Sequence, residues 1–175
     1  MAASSRVAGH ASNPVAPRTI VRVASLAHAF WPRWYRMLAS FDPLIEPLWR
    51  QFGIGNVVRL TVSGRRSGLP RTLFIGVLRV ADREYLGHPD GSCGWTLNLD
   101  RAGGGVLESR DGRRRSFSAT LLAAGPERDD VIRTTFRQHP FPGGLIYWLF
   151  RANLRARGRF YRLAEVEPDP VPFPR

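Results

Sequence analysis

Val57-Val58-Arg59-Leu60-Thr61-Val62-Ser63, then Gly64-Arg65-Arg66-Ser67-Gly68-Leu69-Pro70-Arg71, then Thr72-Leu73-Phe74-Ile75-Gly76-Val77-Leu78-Arg79-Val80 reads as strand, loop and strand. The flanking runs are rich in β-branched and aromatic residues, which suit a pleated, half-buried surface. In the loop two glycines bracket a pair of arginines, and a third arginine follows a proline. A loop of this kind joins two strands tightly and aims guanidinium and backbone N–H groups at one point. That chemistry holds an anion, above all a phosphate. On these residues alone a solvated basic turn reads equally well.

Outward from the loop, Ala81-Asp82-Arg83 is a turn and Glu84-Tyr85-Leu86 opens a short third strand. Gly87 to Gly94 is a loop dense in turn formers. Trp95-Thr96-Leu97-Asn98-Leu99 predicts one or two helical turns, released by Gly103-Gly104-Gly105. Val106 to Ser109 and Ser116 to Leu122 form a second hairpin, with Asp111-Gly112 as its turn signal. A helix starts at Gly125-Pro126 and runs to about Gln138, with acidic residues in its first turn. Leu145 to Arg155 is an aromatic, basic helical segment, and Phe160 to Val166 is a closing strand.

Before the first strand, Pro43 to Gln51 predicts a short helix capped by Asp42 and stopped at Gly53. Apolar residues recur at helical spacing from Arg18 to Leu38, and Pro32 should kink that helix. Residues 1–17 read as a disordered lead-in and 168–175 as a proline-rich tail. One domain is expected over 18–167, with helices in 18–52 and a barrel core in 56–166. Short antiparallel strands with helices grouped before and after them predict a mainly β (α+β) fold, a small β-barrel or rolled sheet. Alternating βαβ units are absent, which argues against a Rossmann fold.

The formal net charge of +12 favours an anionic ligand. All 26 basic residues are arginine, however, so part of the excess reads as genome composition rather than function. No pattern matches the usual nucleic-acid-binding motifs, so nucleic acid is not an expected partner. Cys93 is the only cysteine, and no apolar run approaches the roughly 20 residues that span a bilayer. A cytoplasmic protein is expected. The two amphipathic segments, 18–38 and 145–155, are compatible with peripheral contact on the inner membrane face. The four histidines are scattered, so no metal site is predicted. His88, Asp90 and Ser92 stand too close in one loop to form a triad, and Cys93 has no specified base. Hydrolysis has no visible machinery.

Binding elements remain. Arg65, Arg66 and Arg71 supply planar bidentate donors. The glycine-rich 87–94 loop offers a backbone-lined wall, Trp95 a ring platform, and Asn98 stands one helical turn beyond it. An enzyme whose chemistry belongs to its cofactor needs no triad.

Gly64-Arg65-Arg66-Ser67-Gly68-Leu69-Pro70-Arg71 together with Trp95-Thr96-Leu97-Asn98-Leu99 resembles the actinobacterial deazaflavin-dependent nitroreductase family. Its members carry a GR(R/K)SG-x-PR loop and a W-x-x-N-L helix. The resemblance runs from about Val57 to Val106. It implies a split β-barrel of the FMN-binding type and coenzyme F420, a 5-deazaflavin with a phosphate and oligoglutamate tail, with FMN as the alternative cofactor. It also implies that Arg65, Arg66 and Arg71 hold the phosphate and tail, with Ser67 beside them. Thr72, His88, Ser92, Trp95 and Asn98 complete the expected cofactor site. Tyr147 is the candidate catalytic proton donor, with Phe141 and Trp148 as apolar wall. The implied reaction is hydride transfer to a quinone, enone or nitro acceptor, in a monomer or a homodimer. The chain departs from the family in a shorter loop before Trp95 and in Leu73-Phe74 after the Pro-Arg pair. The alternative is a non-catalytic barrel that binds a flavin, a lipid or another anionic ligand.

Overall fold

The computed structural model describes residues 42–139, 143–149 and 151–166. The expected helix over 18–38, the lead-in, Phe141, the tail and the Asp42 capping side chain lie outside what is described. The elements are α1 (Asp42–Phe52), β1 (Val57–Ser63), β2 (Pro70–Gly76), β3 (Leu78–Val80), β4 (Arg83–His88), α2 (Gly94–Ala102), β5 (Gly104–Glu108), β6 (Arg114–Leu121), α3 (Pro126–Gln138), α4 (Gly143–Leu149), α5 (Arg151–Arg157) and β7 (Arg159–Val166).

All seven strands belong to one antiparallel sheet in the order β2-β1-β5-β6-β7-β4-β3. Its two edges, β2 and β3, are separated in the chain by Val77 alone. They are two halves of one bent strand, the first paired with β1 and the second with β4. The sheet must therefore curl until its edges meet at the bend, and it forms a half-barrel rather than a flat layer.

The sequence predicts a single strand from Thr72 to Val80, and its break at Val77 has a local cause. The Val77 N–H donates to the Asn56 carbonyl at 3.0 Å. The Asn56 side-chain amide donates to the Val77 carbonyl at 2.7 Å. Asn56 thus takes over both main-chain groups of Val77, and the ladder can turn the corner with both of them paired.

Alternation along the strands separates two cores. Leu60 and Val62 of β1, Leu86 of β4, Leu107 of β5, Phe117 of β6 and Tyr161 of β7 point inward, where Trp95 and Leu99 of α2 pack against them. On the outer face Leu78, Tyr85 and Phe160 are covered by Val131 and Ile132 of α3, Tyr147 of α4 and Leu154 of α5. Each fully buried large side chain contributes about 1.5–3 kcal/mol.

The triple glycine does more than release α2, because Gly104 and Gly105 lie inside β5. A Cβ on Gly104 would overlap the Phe117 carbonyl, and one on Gly105 would stand 2.6 Å from the Thr61 carbonyl oxygen. Glycine is what lets β5 sit this close to its neighbours. The αL stop of α2 is Gly103, at φ +70°. At the other helix the expected stop stands as predicted, with Gly53 at φ +72° and its N–H on the Trp49 carbonyl.

Candidate anion-binding site

The site is built where the β1–β2 loop meets the first turn of α2. The Gly64 N–H donates to the Leu69 carbonyl at 2.9 Å, and the Gly68 N–H to the Gly64 carbonyl at 2.8 Å. Gly68 takes φ +68°, a left-handed turn that glycine enters without steric cost. Ser67 Oγ accepts from the Leu69 N–H at 3.3 Å, and Ser63 Oγ donates to the Gly68 carbonyl at 3.0 Å. The Arg65 N–H donates to Asn98 Oδ1 at 3.2 Å. Four backbone donors of the loop are thereby engaged within the protein. This corrects the expectation that the loop's N–H groups converge on a ligand: they fix the loop's shape instead.

Arg65 is engaged as well. Its guanidinium donates to Asn98 Oδ1 at 3.0 Å and to the Gly94 carbonyl at 3.3 Å. Arg65 and Asn98, read from the sequence as two separate ligand contacts, are bonded to one another, and Asn98 is buried. Together they latch the loop to α2.

Arg66 and Arg71 are exposed and have no ion-pair or hydrogen-bond partner among the described residues. Arg71 is registered opposite Val62, whose side chain faces the inner core, so it prolongs the inner face at the barrel's mouth. A Cβ on Gly64 would lie 3.6 Å from Arg71 Cγ, so the arginine stem runs over that glycine. The first turn of α2 carries no acidic residue, and the carboxylate standing just before it, Asp90, is bonded to Ser92. Thr72 lies on the outer face, its hydroxyl 3.1 Å from that of Thr61.

The remaining expected residues take other positions. His88 belongs to β4, paired with Arg159, and is 2% exposed. Its Nδ1 contacts the backbone of Asp90, and its ring meets Trp95 edge-on at 5.8 Å. Burial lowers its pKa to about 4, with Asp90 pulling the other way, so the imidazole is neutral near pH 7. Ser92 donates its N–H and hydroxyl to Asp90 Oδ1 at 3.0 and 2.6 Å. The Gly91 N–H reaches the Arg157 carbonyl, and Asn153 donates to the Pro89 carbonyl. The 87–94 loop is therefore tied to α5. The Trp95 ring is buried between His88 and Tyr161 rather than laid open as a platform.

Burial raises the Cys93 thiol pKa, which keeps it protonated. Tyr147 packs in the outer core, its ring 4.4 Å from His139. The structure thus brings Arg65, Arg66, Ser67, Arg71 and Asn98 together at the mouth. It puts His88 and Trp95 beneath them in the inner core, and Tyr147 on the opposite face of the sheet.

Sequence reasoning missed Asn56, Asp100 and Tyr161, and weighed Asp90 only as a member of a triad that its loop rules out. The Tyr161 hydroxyl donates to Asp100 Oδ1 at 2.8 Å, and Arg159 pairs with the same carboxylate, anchoring α2 to β7. Asp90-Gly91-Ser92 carries a legible Asx-turn signal. The Tyr161–Asp100 bond joins residues 61 positions apart and leaves no local trace.

No protein-family description and no curated protein matches this chain. Solved structures do. One described as a domain-swapped dimer aligns with TM-score 0.51 and 14% identity, covering 76% of this chain and 98% of that one. An F420-H2 dependent reductase, FDR-A, aligns at 0.49 and 15%, covering 62% and 94%. HutZ, a heme storage protein from Vibrio cholerae, aligns at 0.49 and 13%, covering 73% and 92%. With the curled antiparallel sheet, the edge-joining bend and the helix seated in its mouth, the chain has the split β-barrel fold, mainly β with flanking helices.

Proposed function

We propose that the barrel mouth holds the phosphate and acidic tail of coenzyme F420, and that the protein is an oxidoreductase acting on a quinone, enone or nitro-type acceptor. The observation that carries this reading is the pair Arg66 and Arg71: two guanidiniums without a partner among the described residues, one on the loop whose shape Arg65 and Asn98 fix and one at the start of β2 beside it. Two planar cations carried on a backbone shaped in advance, beside a helix N-terminus, suit a polyanion, and little backbone ordering remains to be done on binding. The resemblance of the loop and the α2 motif to the deazaflavin family supplies the identity of that polyanion, with FMN as the alternative. When bound, the reduced deazaflavin supplies a hydride equivalent to an electrophilic acceptor.

In this reading Arg66 and Arg71 bind the phosphate and tail, and Arg65 positions the loop. Ser67 holds the loop's turn through the Leu69 N–H, and Thr72, on the outer face beside Thr61, is given no ligand contact. His88 supports α2 from beneath through the Trp95 ring, and burial keeps His88 uncharged. Tyr147 is given no proton-transfer role, since it packs on the other face of the sheet. The acceptor's proton then comes from water or from the acceptor's own surroundings.

Fluorescence titration with F420 tests the reading. Loss of a charge-assisted contact of about 1.5 kcal/mol predicts roughly tenfold weaker binding for Arg66→Ala and for Arg71→Ala. Wild-type affinity in both variants would return the loop to a solvated turn.

The position of Tyr147 also favours a second reading, a barrel that binds an anionic flavin or lipid without turnover. Adding a menaquinone analogue to the protein with reduced F420 separates the two. Bleaching of the coenzyme absorbance supports the enzyme, and binding without bleaching supports the carrier.

A further inference from the structure

Helix α4 presents an apolar face that the fold does not use. Tyr147 is buried against the sheet, which fixes the helix's rotation. Leu145, Trp148 and Leu149, at the i, i+3 and i+4 positions, share the opposite side and are 51%, 49% and 57% exposed. The adjoining helix α5 is basic, and its Arg151, Arg155 and Arg157 are exposed with no ion-pair partner among the described residues. The Arg151 guanidinium lies over the Trp148 ring, 4.8 Å from its centroid, and donates to the Trp148 carbonyl at 3.3 Å. Between Asp130 and Glu165 the sequence holds seven arginines and no carboxylate side chain.

We infer that this α4–α5 face docks on the surface of an anionic membrane. Leu145, Trp148 and Leu149 enter the headgroup boundary, and Arg151 and Arg155, one helical turn apart on α5 and opposite its buried Asn153 and Leu154, meet lipid phosphates. Charge decides the occupant. A second copy of the chain would bring the same uncompensated arginines to the contact, and like charges would oppose one another across it. An anionic leaflet removes that cost, because it attracts basic side chains lying next to the apolar anchor. Tryptophan beside arginine on a short apolar face is the composition that settles at a bilayer interface. No helix among the described residues is long and apolar enough to cross a membrane, so the contact is peripheral. The inference does not depend on the cofactor and stands whether the barrel is an enzyme or a carrier.

The test is co-sedimentation of the full chain with phosphatidylglycerol-containing vesicles and with pure phosphatidylcholine vesicles, at roughly physiological salt where free charges are screened within about 8 Å. Wild-type protein is expected to sediment with the anionic vesicles and to stay in solution with the neutral ones. The Leu145→Ser/Trp148→Ser/Leu149→Ser variant and the Arg151→Glu/Arg155→Glu variant are each expected to lose at least fivefold in partitioning. All the replaced side chains are exposed, and circular dichroism checks that the fold is kept. Brominated lipid gives a second readout in otherwise native protein: quenching should fall in Trp148→Phe. Wild-type partitioning by the triple serine variant, equal binding to neutral vesicles, or quenching unaltered by Trp148→Phe would each overturn the proposal. So would a concentration-dependent dimer that the serine variant abolishes, since the face would then be a contact between copies.

Discussion

Replacing Asn98 probes the latch between the anion loop and α2. Asn98→Leu keeps most of the side-chain volume in a buried position and removes the acceptor that serves both the Arg65 N–H and its guanidinium. A backbone hydrogen bond is worth about 1 kcal/mol, and a charge-assisted one starts near 1.5. The second is discounted because Arg65 is exposed and water can replace part of it. A total near 2 kcal/mol follows, which at a urea m-value of about 2 kcal/mol/M lowers the midpoint by about 1 M. Affinity for F420 should fall as well, because the loop must then be ordered at the expense of binding.

Asn98→Asp separates the two effects. A carboxylate keeps the acceptor and strengthens the bond to Arg65, so the urea midpoint should stay within a few tenths of a molar of wild type. It also adds a negative charge close to the anion site. With the effective dielectric of a surface cleft this costs about 1 kcal/mol, or roughly fivefold in affinity. Urea denaturation followed by circular dichroism, beside the fluorescence titration, measures both quantities. Unchanged midpoint and affinity in Asn98→Leu would mean that the latch does not form in solution, and the preorganisation reasoning would fail.

Two other outcomes follow from the inner core. Gly105→Ala places a methyl group against the Thr61 carbonyl between two ladders, and this overpacking should cost about 3 kcal/mol by urea denaturation; a variant of wild-type stability would refute the close approach of β5. His88 has a pKa near 4 when folded and about 6.5 when unfolded, so the unfolded chain takes the proton first and stability falls as pH drops from about 6.5 to 4, by up to roughly 3 kcal/mol. Burial lowers His139 in the same direction. His88→Gln should therefore flatten, though not abolish, the acid limb of stability measured over that window, and a limb parallel to wild type would exclude His88 as its source.

What the sequence disclosed depended on the range of the interaction. β1 was legible to the residue, because Val57 to Ser63 states its alternation and meets a glycine at its end. The stop at Gly53 was legible for the same reason, since one residue's backbone freedom decides it. The bend at Val77 was not. Its strand continues in propensity through Val80, and only an asparagine 21 positions upstream takes its hydrogen bonds. The candidate site divides along the same line. The arginine loop and the Trp95–Asn98 helix were each readable as motifs, but their bond to each other spans 33 residues. Read separately, Arg65 and Asn98 look like ligand contacts, whereas joined they become the brace of the loop that carries Arg66.

Tyr147 shows the limit from the other side. A tyrosine on an aromatic helix is a fair proton donor until the sheet is seen to have two buried faces, and helical periodicity cannot say which face a later helix will cover. The division between the faces follows from strand alternation once the register is known. Tyr85 and Phe160 turn outward on β4 and β7 while Leu86 and Tyr161 turn inward. A helix that closes over Tyr85 and Phe160 cannot also reach the mouth where Arg66 and Arg71 stand. On the inner side burial disfavours the charged forms of three groups near Trp95: it lowers the His88 pKa to about 4 and raises those of Cys93 and Tyr161. In the proposed reading Arg66 and Arg71 at the mouth meet the anion, and these three groups below them do little acid–base work. That is the arrangement expected where the reactive chemistry belongs to the ligand.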